Sequence, residues 1–361
     1  MTAFVNSPRW TGRFTWMAVA TSCALALTAC GGAKVGSTGT GAVTSAAAAT
    51  SAAAPTDGAS PSGASAASAT GGAATAACGT VNLGVNPWVG YESDAAVVTY
   101  LLTTKLGCKV VAKNLDETVV WDGFATGQVD AILEVWGHPN EKKKYVDDQK
   151  VAEVIGSTGR KGKIGWYVVP WMAKQYPDIT DWQNLNKYAD LFKTSESGGK
   201  GQFLDGDPGF VTADGGLIKN LKLNFKVVYG GSETALITTF RQAEKDHKPA
   251  IGYWYSPQWF NNEVPMVNIK LPAYDASCHD DSHPADAKCD YPDYDLYKVA
   301  SVKFASSGSP AYDFIKKFQW TNEDQNTVSK YIAIDKLSDE AAAKKWVDAN
   351  PDKVKAWLPA S

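Results

Sequence analysis

The sequence predicts an α/β fold whose strands are joined by helical crossovers, and two observations predict it. From residue 78 onward, short apolar segments alternate with amphipathic ones at the spacing of parallel strands and their crossover helices. The conspicuous aromatic and Gly/Pro motifs then fall just after strand-like segments, where sheets of this kind hold ligands. A third observation sets the boundary: the first 77 residues show neither pattern.

The chain opens with a basic stretch carrying Arg9 and Arg13, then an apolar run over 14–27 that is short for a membrane span. Leu27-Thr28-Ala29-Cys30 closes that run, with Gly31 and Gly32 behind it. Small residues before a cysteine at this point resemble a bacterial lipobox. Residues 1–29 are therefore expected to be a lipoprotein signal peptide, and Cys30 the lipid-bearing mature N-terminus. An ordinary signal peptide with an incidental cysteine is the plainer alternative. Residues 30–77 are almost wholly Ala, Ser, Thr and Gly. Such a tract buries too little apolar surface to offset the entropy of ordering, so it is expected to be a flexible tether.

The remaining body, about 78–361, is long enough for two domains. Removing the two signal-segment arginines from 35 Lys+Arg leaves 33 against 38 Asp+Glu, a formal charge near −5. No basic patch is dense enough to imply nucleic acid. Eleven of the 13 tryptophans fall in the body, an excess that calls for an aromatic core or a ring-lined site. Four cysteines remain there, Cys78, Cys108, Cys278 and Cys289, and an even count in an exported protein predicts two disulfides. Pairing Cys278 with Cys289 closes a short polar loop, and pairing Cys78 with Cys108 ties the first strand to the end of the first helix. Two other connectivities are open.

In order, 81–86 reads as a strand, 93–106 as a helix, 108–113 as a strand, 118–125 as a helix and 131–136 as a strand. The pattern restarts after Gly165 with the apolar run 166–173, a helix-like segment at 183–191 and a short apolar stretch at 202–204. A helix at 215–223, a strand at 225–229, an amphipathic helix at 232–245 and a strand at 250–255 follow. From about 309 the chain reads as helical, with Pro351 opening the last helix.

Four motifs sit at strand ends: Asn86-Pro87-Trp88-Val89-Gly90-Tyr91, Trp136-Gly137-His138-Pro139, DPGFVTADGGL at 207–217 and KPAIGYWYSPQWF at 248–260. They look like parts of a cage for a cation without N–H groups, held by ring faces through cation–π attraction and dispersion. The helix start after 210 offers backbone N–H groups to a carboxylate. Glycine betaine and its relatives carry both ends.

Together these features resemble the substrate-binding proteins of ABC importers for glycine betaine, proline betaine and choline, over about 80–361. The resemblance implies a two-lobed type II periplasmic-binding-protein clamshell, each lobe a mixed sheet flanked by helices. Lobe 1 would be 78–165 plus 299–361 and lobe 2 166–298, hinged near Gly165 and Val299. It implies capture of a quaternary ammonium solute without a cofactor, by a monomer anchored on the outer face of the cytoplasmic membrane. Delivery would be to a membrane permease powered by a cytoplasmic ATPase.

Position by position, Trp136 matches the family's strand-ending tryptophan, and Phe210 stands where a tryptophan is common. Tyr255 matches a ring at the end of a second-lobe strand, with Trp254 as its competitor. Strand alternation puts Tyr253 and Tyr255 on one face and Trp254 on the other. Trp88 is a further wall, with Tyr91 as its fallback. The amides of Val211 and Thr212 would meet the carboxylate, Thr212 serving as helix N-cap. A choline site would instead use an acidic side chain, for which Glu92, Asp94 and Glu134 are near in sequence. Trp166, Trp171, Trp182, Trp259, Trp320, Trp346 and Trp357 read as core.

An exported hydrolase is the main rival class, but Gly-x-Ser-x-Gly, His-Glu-x-x-His and P-loop signatures are missing. A surface lipoprotein that kept the fold without a ligand is a third reading. Cys278-His279-Asp280-Asp281-Ser282-His283, with Cys289, has metal-ligand residue types. Oxidised cysteines are not ligands, so no metal is expected.

Overall fold

The computed structural model describes residues 78–359. The expected signal peptide, the tether and the lipid site at Cys30 lie outside the described residues. Nine strands form the scaffold: β1 (Thr80–Val85), β2 (Lys109–Asn114), β3 (Ala131–Val135), β4 (Ala152–Val168), β5 (Gly201–Asp205), β6 (Phe225–Tyr229), β7 (Ile251–Ser256), β8 (Val267–Asn268) and β9 (Asp293–Ser301). Their order is β2-β1-β3-β9-β4-β7-β5-β6, with β8 on β4.

The sheet has two similar halves. In one, β1 runs parallel to β2 and β3; in the other, β5 runs parallel to β6 and β7. Between them, β4 and β9 run antiparallel to their neighbours. β4 pairs with β9 from Ala152↔Ser301 to Lys163↔Asp293, then with β7 from Lys163↔Ser256 to Val168↔Ile251. These two strands carry the chain between the halves. Val299 faces Val154 and Ile132, deep in the first half.

Most expected elements are present within a few residues of their expected bounds. The helix Val89–Leu106 starts earlier than residue 93, and Gly107 ends it in the left-handed region (φ 66°), where glycine carries no Cβ penalty. The expected helix at 183–191 is instead three short turns, Trp182–Asn184, Leu185–Tyr188 and Ala189–Phe192. Most of β4 and all of β9 were not expected. In β4, register shifts fall where Gly156 and Gly159 take positive φ, and such bulges break the alternation that betrays a strand. In β9 the pattern is interrupted by Lys298. That lysine is fully buried and donates to the carbonyls of Ile315 (3.0 Å), Lys316 (2.9 Å) and Phe318, at the end of the helix Pro310–Lys317.

Cys78 is bonded to Cys108 and Cys278 to Cys289, with Cα separations of 4.9 and 5.7 Å. The first bond joins the starts of the neighbouring strands β1 and β2. The second closes the loop with the metal-ligand residue types; among the described residues no group of three or more such side chains could hold a metal ion. Nor, among the described residues, is any helix long and apolar enough to cross a membrane.

Candidate functional site

The carboxyl ends of β1, β3, β5 and β7 converge, and each brings aromatic rings with it. Trp88 follows β1, Trp136 follows β3, Phe210 lies in the loop after β5, and Tyr253 and Tyr255 sit near the end of β7. With Glu117, Ile164 and Val211 these five rings line a small cavity. Trp136 meets Tyr255 edge to face at 5.4 Å between centroids, and Trp88 meets Phe210 the same way at 5.9 Å. Tyr253 joins Phe210 at 6.3 Å and Tyr255 at 6.2 Å. All five rings are buried. Two glycines admit them: a Cβ on Gly162 of β4 would strike the Trp136 indole, and one on Gly206 would lie 2.7 Å from the Phe210 ring.

The tryptophans are fixed from behind. Glu134 of β3 points its Oε1 at both indoles, accepting from Trp88 Nε1 at 3.0 Å and Trp136 Nε1 at 2.6 Å. Its Oε2 accepts from Gln325 at 2.7 Å and pairs with Arg160 Nη1 at 2.7 Å. Arg160, also fully buried, holds Asp94 at 2.7 Å through Nη2, and Trp320 donates to the other Asp94 oxygen at 2.8 Å. Burial pushes the Glu134 carboxyl up, but the Arg160 guanidinium and the hydrogen-bond donors outweigh it and hold it below the usual range. Hydrogen bonds to an ionised group are worth about 1.5–3 kcal/mol each, so the two indoles are held firmly.

On the other side, Glu233 anchors Tyr255. Its Oε1 accepts from the Tyr255 hydroxyl and from Gln258 Nε2 at 2.7 Å. Burial raises the Glu233 carboxyl, and the donors only partly offset it.

One carboxylate faces the cavity directly. Glu117 is buried, and its Oε1 lies 3.0 Å from His138 Nε2, a separation of ion-pair length whose angle misses a hydrogen bond. His138 takes positive φ (57°) and has Glu141 at 3.4 Å on its other nitrogen. Burial pulls the imidazole down, but Glu117 and Glu141 outweigh it and push His138 up to about 10. Glu117 Oε1 is thus left without a hydrogen-bond donor among the described residues.

Of the sequence-derived site residues, the structure brings together Trp88, Trp136, Phe210, Val211 and Tyr255. Trp254 is corrected: it packs against Phe240 and Phe260 and donates to Asn261 at 2.7 Å, on the face of β7 away from the cavity. Thr212 meets the start of the helix Asp214–Asn220, its hydroxyl accepting from the Asp214 N–H at 3.3 Å and donating to Asp205 at 2.9 Å, with Ala213 as the residue that directly precedes the helix. The backbone N–H groups of Val211 and Thr212 have no acceptor among the described residues. Tyr91, the fallback ring, lies in the core, donating to the Gly84 carbonyl and accepting from Leu133 N–H. Glu92 borders a second cavity, where burial beside Asp339 pushes it up to about 7.

Sequence reasoning missed Glu117, Tyr253 and Glu233. For Glu117 the signal was present: it follows β2 at the strand's carboxyl end, as Trp88 and Trp136 follow β1 and β3. Tyr253 shares the face of Tyr255 by alternation.

Residues 79–349, well over half of the chain, match the family described as the substrate binding domain of ABC-type glycine betaine transport systems. The chain belongs to this family. Its members are extracytoplasmic solute-binding proteins that serve ABC importers. The trimethylamine N-oxide-binding protein of Pelagibacter ubique is 28% identical over 265 residues, covering 70% of this chain and 82% of that protein. Two solved structures share the fold of this family member. Lactococcal OpuAC, closed on glycine betaine, aligns with a TM-score of 0.61 at 21% identity, over 78% of this chain and 99% of its own. An ABC-transporter choline-binding protein with choline aligns at 0.63 and 17%, over 78% of this chain and 91% of its own. The fold is thus the two-lobed type II periplasmic-binding-protein clamshell.

Proposed function

We propose that this family member captures a quaternary ammonium solute, glycine betaine or a near relative, in the five-ring cavity and delivers it to the permease of an ABC importer. The observation that carries the proposal is the cavity itself: Trp88, Trp136, Phe210, Tyr253 and Tyr255 all line it. A trimethylammonium group has no N–H to donate, so ring faces are the protein's means of holding it. The free amides of Val211 and Thr212 suit the carboxylate of a betaine.

The capture requires two lobes, and the proposed division keeps 78–165 plus 299–361 as lobe 1 and 166–298 as lobe 2. The crossings are β4 and β9. Rings from both lobes would meet only in the closed state, so ligand would raise its population. Lipid attachment at Cys30, a monomeric state, and partnership with a membrane permease and its ATPase complete the proposal. No chemistry on the solute is part of it.

One observation favours a second ligand. Glu117 places a carboxylate in the cavity wall, with His138 3.0 Å from its Oε1. A carboxylate attracts a net cation with a hydroxyl, as in choline, and repels the carboxylate of a betaine. Intrinsic tryptophan fluorescence separates the readings when choline, glycine betaine, carnitine and trimethylamine N-oxide are titrated beside free glycine. Saturable changes with the methylated amines and none with glycine support the cage, and the ranking identifies the polar end. Silence with all of them from folded protein would refute it.

A further inference from the structure

Glu233 opens the helix Glu233–Asp246, which follows β6. Ser232 caps that helix by accepting from Ala235 N–H, which leaves the Glu233 side chain for other partners. Those partners come from both halves of the molecule. Tyr255 and Gln258, near the end of β7, donate to Oε1. Oε2 accepts, at 3.0 Å, from the backbone N–H of Val89. Val89 is the first residue of the 18-residue helix that follows β1 in the other half, and the Trp88 side chain does not cap that helix. Its N–H is one of the donors that a helix start leaves unpaired, and the macrodipole favours a negative charge there. Among the described residues no lysine or arginine pairs with Glu233.

We propose that Glu233 is the latch of the closed state, coupling the placement of the cage ring Tyr255 to capture of the opposite helix start. The inference rests on the cavity being the ligand site. The latch and the bridging ligand act on one equilibrium between open and closed forms. Losing the latch lowers the closed population, and the apparent affinity falls by the same fraction. Glutamine cannot take over the role. Three donors converge on the carboxylate, and an amide would turn its NH2 against at least one of them.

Two variants of the full-length chain test this. Glu233→Gln alters the acceptor. Val89→Pro removes the donor and keeps an apolar side chain at this partly buried position: proline is favoured at the first helical position, and Trp88 already has the extended backbone (φ −139°, ψ 151°) that precedes a proline. Ligand release, followed by stopped-flow tryptophan fluorescence with choline and with glycine betaine, should be about tenfold faster in both variants. Small-angle scattering without ligand should show both more expanded than the unmodified chain, with unchanged far-ultraviolet circular dichroism. A folded Val89→Pro chain that releases ligand at the original rate and is equally compact overturns the latch, whatever Glu233→Gln does. If neither these two amines nor carnitine nor trimethylamine N-oxide binds the unmodified chain, the cavity reading fails by itself. The scattering comparison then decides the latch alone: expansion supports it and equal compactness overturns it.

Discussion

Trp88 and Trp136 on one side of the cavity, and Tyr255 on the other, each lean on a buried carboxylate, but the two carboxylates are held differently. Glu134 has the Arg160 guanidinium at 2.7 Å, and all its partners, in β1–α crossover, β3, β4 and the C-terminal helices, belong to the first half of the sheet and its helices. Glu233 has neutral donors only, and one of them comes from across the cleft. The difference is between a wall built in advance and a wall completed on closure. The tryptophans need nothing from the other half to keep their orientation, whereas Tyr255 shares its anchor with the start of the opposite helix. Electrostatics follow the same division, the Glu134 carboxyl lying below its ordinary value and that of Glu233 above it.

The largest expected effect breaks the prebuilt wall. Glu134→Ala strips Arg160 of one partner and two indoles of their acceptor, and should cost about 3–5 kcal/mol in urea unfolding. Glu233→Gln removes a buried charge that has no cationic partner and should cost no more than about 1–2 kcal/mol. Equal losses would erase the contrast. Next comes Trp136→Ala, which should weaken quaternary ammonium binding about tenfold by calorimetry while the fold persists. Unchanged affinity would remove Trp136 from the cage.

A smaller effect concerns selectivity. Glu117→Gln should weaken choline more than glycine betaine, moving the ratio of their dissociation constants severalfold. An unmoved ratio would show that the polar end of the ligand lies elsewhere. The smallest effect is in pH dependence. Glu134 is held below its ordinary 4.5, so its stabilisation is present above that value and lost as pH falls through the folded-state pKa. Glu233 is raised above 4.5, so the folded state binds its proton more tightly than the unfolded state does. The cost of its buried charge is therefore relieved as pH falls from neutral toward 4.5. Unfolding curves across pH should flatten above 4.5 in Glu233→Gln and below 4.5 in Glu134→Gln. The reverse pattern would contradict the assignment of the two anchors.

Much of this was legible in the sequence because the signals were local. β1, β3 and β7 are short apolar runs, and the rings that follow them are set by strand ends and alternation, which is why Trp136 and Tyr255 were found and Trp254 faces away. What was illegible depends on partners far along the chain. Lys298 looks like a break in a strand until the carbonyls of 315–318 are seen to take its ammonium. Glu233 looks like an ordinary acidic residue in the first turn of a helix, and only the fold brings Val89 to it. Glu134 was weighed as a ligand for choline, but its lone pairs are already engaged by Trp88, Trp136, Gln325 and Arg160. β4 was hidden by glycines that serve its bulges and its contact with Trp136.

The central claim is that the rings read positive charge rather than shape. Calorimetric titration with choline and with 3,3-dimethylbutan-1-ol, the same outline with carbon in place of nitrogen, tests it most directly. The account predicts that choline binds at least about tenfold more tightly. Equal affinities would contradict it, leaving the cavity as a hydrophobic pocket with no preference for a cation.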